Sequence, residues 1–320
     1  MIVDQTLFGQ NLFGDPATPT PRSPLAKKFG VFPSSVLDAR QGEWQTRKAA
    51  WLSMGIKSEV GRGGGGKGEH LTGNSMMDGT YRKPDGSTTS IPPSAGASVF
   101  DPVLCEMVYR WFCPPQGQVV DPFGGGSVRG VVASHMGLRY HGIELRPEQV
   151  QANRDQAATM CPDNPPEWVC GDSRDLLPAA PLADLVFTCP PYGDLEVYSD
   201  DPRDLSNMAY PDFLVAYRRV VWLSAMALKP NRLAVVVVGD FRDPKTTTYR
   251  GFVADTINVF RDAGMELYND AVLVTMVATL SMRVEGQFKT YRKLGKTHQN
   301  VLVFLKGDCR AMGTELGALA

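Results

Sequence analysis

From about residue 99 to residue 306, short hydrophobic runs alternate with helix-like segments. Such alternation predicts an α/β domain with a mainly parallel sheet and helices on both faces. We predict seven strands, the last two forming an antiparallel hairpin at one edge without an intervening helix. The predicted strands are Gln118–Pro122, Arg139–Leu145, Trp168–Gly171, Ala183–Thr188, Arg232–Gly239, Glu266–Met276 and Asn300–Leu305. The predicted helices are Pro102–Phe112, Ser127–Met136, Pro147–Met160, Tyr210–Leu228 and Phe252–Ala263.

The 320-residue length accommodates one large α/β domain and an accessory segment. We predict an N-terminal extension over residues 1–98, the α/β domain over 99–308 and a tail over 309–320. Residues 1–30 read as a flexible, Pro-rich arm, and no apolar stretch reaches the roughly 20 residues of a membrane span. The six cysteines contain no C-x-x-C pair, so we predict no metal site, no disulfide framework and a reducing cytoplasm.

A glycine-rich turn, Asp121-Pro122-Phe123-Gly124-Gly125-Gly126-Ser127, ends the first predicted strand and opens a helix. Ligands of doubly wound sheets bind outside the carboxyl ends of the strands, where glycines let the backbone approach closely. Glu144 ends the next strand about 20 residues later, where an acidic side chain can bind ribose hydroxyls. Asp172 ends the third strand and can accept a hydrogen bond from an adenine amino group. The pattern therefore predicts a nucleoside-containing cofactor at this edge.

A second unusual turn, Thr188-Cys189-Pro190-Pro191-Tyr192, follows the fourth strand about 60 residues further along the chain. Consecutive prolines hold a carbonyl rigidly, because φ is fixed and no N–H competes for it. An exocyclic amine on a heteroaromatic ring is a poor nucleophile, and a positioned acceptor localises its lone pair. We assign Pro190 as that acceptor and Tyr192 as a surface on which a base stacks.

Together, the turn at 121–127, Gly142-Ile-Glu-Leu-Arg-Pro-Glu148 and the motif at 188–192 resemble DNA amino-methyltransferases, which modify cytosine N4 or adenine N6. Phe100-Asp101-Pro102 is similar to the family's segment before the glycine loop. The resemblance covers about residues 99–306 and implies a Rossmann-like fold, S-adenosylmethionine as cofactor, DNA as partner and a base flipped out of the duplex. It implies a catalytic pocket of Cys189, Pro190, Pro191 and Tyr192. It implies cofactor contacts from Phe100, Asp101, Asp121, Pro122, Phe123, Gly124, Gly126, Glu144 and Asp172.

The N-terminal extension adds a second likeness. Val36-Leu-Asp-Ala-Arg40, Trp44 and Gly55-Ile-Lys-Ser-Glu59 resemble the extension of methylases encoded by bacteriophages and prophages. A helix is expected over Gln41–Met54, with Trp44 and Trp51 as core anchors.

Cys189 departs from the family pattern. Cytosine-N4 enzymes usually carry Ser at this position, whereas adenine-N6 enzymes carry Asp or Asn. Cysteine is closer in size to serine, so we favour cytosine N4 over adenine N6, although its thiol is a weak donor and acceptor. A nucleophilic cysteine of a C5 methylase usually follows a proline, whereas Cys189 precedes one, which disfavours C5 chemistry.

Charge is unevenly distributed along a chain whose net charge is only −1. Residues 1–100 carry a net +3, residues 281–306 a net +5, and residues 172–212 a net −7. In the basic stretch, aromatic residues interleave with five candidate DNA-binding cations, which favours a nucleic-acid surface, with a solvated basic face as the alternative. These cations are Arg283, Lys289, Arg292, Lys293 and Lys296.

Target selection has little dedicated sequence. Neither the interval between the two motifs nor the stretch after the last strand accommodates a recognition domain. Selection then falls to the N-terminal segment, the basic connection or a partner. Rival functions are methylation of an RNA base or a protein glutamine amide, and DNA binding without turnover.

Two further segments lack a firm assignment. Gly61–Gly68 imitates a phosphate-binding P-loop, but Gly68 replaces the required Ser/Thr and no strand precedes it, so a mobile loop is favoured. The acidic stretch Asp194, Glu196, Asp200, Asp201 and Asp204 is read as solvent-facing, as helix caps or as partners of Arg203 and the basic segments, which is favoured over a metal site.

Overall fold

The computed structural model describes residues 24–40, 42–56, 80–82, 88–90, 100–193, 198–275 and 280–317. Gly61–Gly68, Asp194 and Glu196 lie outside these residues. Residues up to Pro33 form one compact unit and residues from Ser34 form another. In the first unit, helix α1 spans Pro24–Phe29, within the stretch read above as a flexible arm.

The second unit contains ten strands and nine helices among its described residues. The strands are β1 (Val36–Asp38), β2 (Thr80–Arg82), β3 (Thr88–Ser90), β4 (Gln118–Asp121), β5 (Arg139–Glu144), β6 (Glu167–Cys170), β7 (Ala183–Thr188), β8 (Leu228–Val238), β9 (Glu266–Val274) and β10 (His298–Lys306). The helices are α2 (Gly42–Ser53), α3 (Pro102–Phe112), α4 (Val128–His135), α5 (Pro147–Met160), α6 (Ser173–Leu176), α7 (Tyr210–Ala227), α8 (Phe252–Asp262), α9 (Leu280–Tyr291) and α10 (Cys309–Leu316).

Eight strands form the main sheet in the order β1-β9-β10-β8-β7-β4-β5-β6. Strands β8, β7, β4, β5 and β6 are parallel, and β10 runs antiparallel to both β8 and β9. The predicted α/β class, with its Rossmann-like parallel sheet and antiparallel C-terminal strands, is confirmed. Strands β2 and β3 form a separate antiparallel pair.

Three details of the predicted topology are wrong. The sheet has eight strands, because β1 from the N-terminal extension pairs in parallel with β9. The β9–β10 pair is therefore covered by β1 and does not end the sheet. The connection between β9 and β10 contains helix α9, where a helix-free hairpin was predicted.

Helices α7 and α8 pack against the central strands through aromatic residues. Within α7, Phe213 stacks on Tyr217 with ring centroids 5.7 Å apart, and both belong to one core cluster with Val236 of β8. Phe260 of α8 stacks on Phe304 of β10 at 4.1 Å. All four rings are buried, which fixes the frame from which the carboxyl ends of β4, β5, β7 and β8 project. None of the described helices is long and apolar enough to cross a bilayer.

Candidate active site

Asp121, the last residue of β4, is fully buried and accepts four hydrogen bonds. The backbone N–H of Phe123 and the hydroxyl of Thr188 bond to Oδ1, at 3.1 and 2.7 Å. Arg129 Nε and the Tyr140 hydroxyl bond to Oδ2, at 2.5 and 2.7 Å. These four bonds use the acceptor capacity of the Asp121 carboxylate and tie the glycine loop to β5, β7 and α4. The predicted contact of Asp121 with a cofactor stays a prediction.

Arg129 in α4 fixes the backbone of the glycine loop by hydrogen bonds. Its guanidinium donates to the carbonyls of Phe123 and Gly124, at 2.6 and 3.2 Å, and lies 4.6 Å from the ring centroid of Phe100. Burial by itself lowers the pKa of Arg129. The Asp121 carboxylate opposes this shift, and the pKa is raised overall, so the guanidinium stays charged. Arg129 therefore joins the glycine loop to Phe100, which lies just ahead of α3.

The glycine loop lies directly against β5, as the predicted close approach requires. Gly124 donates its N–H to the carbonyl of Ile143 at 2.7 Å, and Gly125 has a φ of +48°. Gly125 also donates to the Glu144 carboxylate at 2.9 Å and accepts from Asn153 at 2.7 Å. These contacts hold the loop backbone from both sides.

Replacing Gly124 with Ala should destabilise the protein, because the added Cβ would lie 3.0 Å from the carbonyl oxygen of Ile143. We expect a loss of about 1–3 kcal/mol in the free energy of unfolding, measured by urea denaturation. Gly313→Ala is the matched control, since a Cβ there meets no atom within 4 Å and α10 favours alanine. Equal stability of the two variants would contradict the close packing of the loop on β5.

Glu144 and Asp172 differ in how fully their carboxylates are occupied. Glu144 accepts two backbone N–H bonds, from Gly125 and Arg146, each at 2.9 Å. Burial raises the pKa of Glu144, although these bonds oppose the shift. Burial also favours a higher pKa for Asp172, but hydrogen bonds from the Arg174 side chain and backbone lower it overall. Glu144 therefore keeps more acceptor capacity than Asp172.

Pro122 and Asp101 each connect the site to a neighbouring helix. The Pro122 carbonyl accepts from the Ser173 hydroxyl of α6. Asp101 caps α3 by accepting from the Val103 and Leu104 backbone, and it also binds the Lys48 ammonium of α2 at 3.1 Å.

The N-terminal helix α2 is anchored beside this cap. Trp44 is buried, as predicted, and donates its indole N–H to Asp101 at 3.1 Å. Trp51 is half-buried and donates to Glu106, which also binds Arg47 at 2.6 Å. The extension is thereby joined to the helix that follows Phe100.

The motif at the end of β7 lies next to the glycine loop, because β7 pairs with β4. Thr188 connects the two through its bond to Asp121. Pro190 is buried, whereas Cys189 and Tyr192 are half-buried, with the Cys189 Sγ 3.9 Å from the Tyr192 hydroxyl. Gln299 of β10 donates to that hydroxyl at 2.8 Å. The structure thus brings the predicted catalytic and cofactor motifs to one edge.

The Tyr192 ring lies in an aromatic pocket that sequence reasoning did not identify. Its centroid is 6.4 Å from that of Phe241 and 6.3 Å from that of Phe252, which meets it edge-on. Burial raises the pKa of Tyr192 well above its usual value, so the phenol stays protonated at neutral pH.

The predicted DNA-binding cations occupy different surroundings. Lys289 pairs with Glu285 at 2.5 Å within α9, whereas Arg292 and Lys293 cover the rings of Phe288 and Tyr291, at 5.4 and 5.1 Å. Lys296 lies closest to the site, near Gly239 and Tyr192. The remaining member, Arg283, lies in α9, and its side chain is outside the described residues.

Two of the described acidic residues after the motif serve local structure, one as a cap and one as a partner of Arg203. Asp204 accepts from the backbone N–H of Ser206 and caps the short 3-10 turn Leu205–Asn207, while Asp201 pairs with Arg203 at 2.7 Å. Within the described ranges, no group of three or more His, Cys, Asp or Glu side chains is arranged to hold a metal.

No protein-family model matches the sequence, and a comparison with curated proteins finds no match. Among solved structures, TrmN from Thermus thermophilus is similar at 15% identity, with a TM-score of 0.43 over 65% of this chain and 49% of TrmN. A precorrin-6y C5,15-methyltransferase from Geobacter metallireducens is 13% identical over 66% of this chain and 90% of its own, with a TM-score of 0.41. A candidate DNA modification methylase, also from Thermus thermophilus, is 22% identical over 43% of this chain and 51% of its own, with a TM-score of 0.32.

The chain therefore spans about half the length of TrmN. Another similar structure, magnesium protoporphyrin IX methyltransferase from Synechocystis, was solved with S-adenosylmethionine bound. The proteins named here differ in what they modify, so the likeness concerns the fold. The order and directions of the strands given above make the sheet of this chain Rossmann-like.

Proposed function

We propose that this protein is an S-adenosylmethionine-dependent DNA methyltransferase that modifies an exocyclic amino group, with cytosine N4 favoured over adenine N6. One observation carries the proposal: the Thr188–Tyr192 motif and the Asp121–Gly126 loop end adjacent strands and share the Thr188–Asp121 hydrogen bond of 2.7 Å. A Pro-Pro motif and a glycine loop in direct contact are what amino-group methylation beside a bound cofactor requires.

The residues at the end of β5 fit the cofactor. An ionised carboxylate has about four lone-pair sites, and the two backbone bonds to Glu144 leave acceptor capacity for two ribose hydroxyls. Glu144, Phe100 and the loop backbone over residues 123–126 would hold S-adenosylmethionine. The bound cofactor supplies an electrophilic methyl group.

The second motif acts on the target base. The Pro190 carbonyl accepts a hydrogen bond from the exocyclic amine and localises its lone pair, because Pro191 provides no competing N–H. Tyr192 offers its ring to the flipped base, and Gln299 fixes the ring by binding its hydroxyl. The phenol stays protonated, so its role in this scheme is contact with the base and not proton removal.

Substitution of Cys189 distinguishes an active methyltransferase from a protein that binds DNA without catalysing methyl transfer. Changing Cys189 to Ser should maintain or raise methylation of cytosine N4, because a hydroxyl is the stronger hydrogen-bond partner and has nearly the same size. Nucleoside mass spectrometry of unmodified duplex DNA after incubation with each protein measures the product. Cys189→Ala is the control that keeps the size small without a polar hydrogen, and it should fall below both.

The rival functions give different results in the same experiment. A DNA-binding protein without turnover yields no methylated nucleoside from either the native protein or the Ser variant. An enzyme for RNA bases or protein amides binds S-adenosylmethionine but modifies those substrates and leaves DNA unmodified.

A further inference from the structure

A surface loop over residues 240–250 adjoins the candidate pocket and was not identified from the sequence. It follows β8 and is fixed at its base by Asp240, whose Oδ1 accepts from the backbone N–H groups of Gly251 and Phe252, at 3.0 and 3.1 Å. A β-bridge between Arg242 and Tyr249 closes the loop on itself. The loop is therefore a defined structure at the carboxyl edge of the sheet, and its Phe241 contacts Tyr192.

The Tyr249 ring contacts two cations, Arg242 from its own loop and Lys296 from just before β10. The Arg242 guanidinium is 4.0 Å from its ring centroid, and the Lys296 ammonium is 5.9 Å away. The Tyr249 side chain is 44% exposed, so this arrangement is open to a ligand. An exposed aromatic ring with cations beside it suits a strand that offers phosphates and base faces.

Lys296 connects this cluster to the catalytic motif. A Cβ placed on Gly239 would lie 3.9 Å from the Lys296 Nζ and 3.9 Å from the Tyr192 hydroxyl. Burial lowers the pKa of Lys296, and Asp240 opposes this shift. An ammonium that is partly withdrawn from water gains free energy when an anion binds beside it.

The nearby carboxylates already have partners within the loop. Asp240 is the cap described above, and Asp243 binds Arg250 at 3.2 Å and accepts from two backbone N–H groups. Across the described part of the chain, no carboxylate lies within ion-pair distance of Arg242 or Lys296. The cluster therefore presents net positive charge at the pocket.

We propose that Arg242, Tyr249 and Lys296 form a phosphate clamp that holds the DNA strand on either side of the flipped nucleotide. The clamp rests on the proposed function. It would position DNA in a protein for which no separate recognition domain is predicted. A clamp of this kind binds the backbone, so it contributes affinity without reading sequence.

The test is the salt dependence of DNA binding. Binding of a fluorescently labelled duplex is measured by anisotropy between 50 and 200 mM salt, with S-adenosylhomocysteine present, a range over which phosphate contacts weaken steeply. Arg242→Gln and Lys296→Met should each reduce the slope of log K against log salt by about 0.9, the value for one phosphate contact. Lys296→Arg should keep the native slope, because its charge is preserved. Affinity for S-adenosylmethionine should not change in any variant.

Arg139→Gln is the matched control, because Arg139 is exposed at the start of β5, on the opposite edge of the sheet. Its slope should equal that of the native protein. If the native protein methylates DNA but Arg242→Gln and Lys296→Met keep the native slope, the clamp is wrong and the proposed function stands. If the native protein neither binds nor methylates DNA, both proposals fail.

Discussion

Replacing Asp121 with Asn should lower the melting temperature by roughly 10 °C. The change leaves the Arg129 guanidinium buried without its counter-ion, and breaking a buried ion pair costs about 3–5 kcal/mol. A domain of this size loses about 2–4 °C for each kcal/mol. The Arg129 bonds to the Phe123 and Gly124 carbonyls weaken as well, so the variant should also bind S-adenosylmethionine poorly. Calorimetry and equilibrium dialysis measure the two effects.

Asp201→Asn is the control for this change, because Asp201 also pairs with an arginine, Arg203, but at the exposed surface. We expect no measurable change in its melting temperature or in cofactor binding. A native melting temperature for Asp121→Asn would show that the buried pair does not support the loop.

Replacing Tyr192 with Ala should reduce kcat/KM for DNA by roughly 10- to 100-fold. Stacking of a base on an aromatic side chain is worth about 1–3 kcal/mol, and each 1.4 kcal/mol is about tenfold. The dissociation constant for S-adenosylmethionine should stay near its native value, because the Asp121–Gly126 loop is built by other side chains. Steady-state kinetics with a duplex substrate give both quantities.

Tyr192→Phe separates the ring from its hydroxyl. This variant keeps the stacking surface beside Phe241 and Phe252 and loses the contacts of the hydroxyl with Gln299 and with the Cys189 thiol. It should retain most of the native activity. If it is as impaired as the Ala variant, the hydroxyl and not the ring is the group that matters.

Strong local patterns made the central sheet and both motifs predictable. Strands β4, β5 and β7 are short apolar runs ended by Asp121, Glu144 and the Cys-Pro-Pro turn, and they lie within a few residues of the predicted bounds. Strand β1 has only three residues, which give no signal of which strand they pair with. Its position beside β9 depends on contacts between distant residues.

The missed elements had weaker or conflicting local signals. Helix α9 carries Leu280, Val284 and Phe288 at helical spacing, but it also contains Gly286, which weakens a helical pattern. Helix α10 lies in the predicted tail. Asp308 caps it by accepting from the Arg310 and Ala311 backbone, and an Asp at a helix N-cap is a feature that the sequence shows.

Partners of the site residues were beyond the reach of sequence patterns. The Asp121 carboxylate accepts hydrogen bonds from Arg129, Tyr140 and Thr188, which lie on three separate elements. No helical or strand periodicity in the sequence links those three positions. The contact of Tyr249 with Lys296 likewise joins residues 47 positions apart in the chain. The first juxtaposition depends on the pairing of β4 with β5 and β7, and the second on the pairing of β8 with β10.

The most direct test of the central claim is transfer of labelled methyl groups from S-adenosylmethionine to unmodified duplex DNA, with RNA and a glutamine-containing protein as parallel acceptors. The account predicts label in DNA, recovered as N4-methylcytosine or N6-methyladenine and strongly reduced in Tyr192→Ala. Label in RNA or protein alone, or measurable cofactor binding without label in any acceptor, would contradict it.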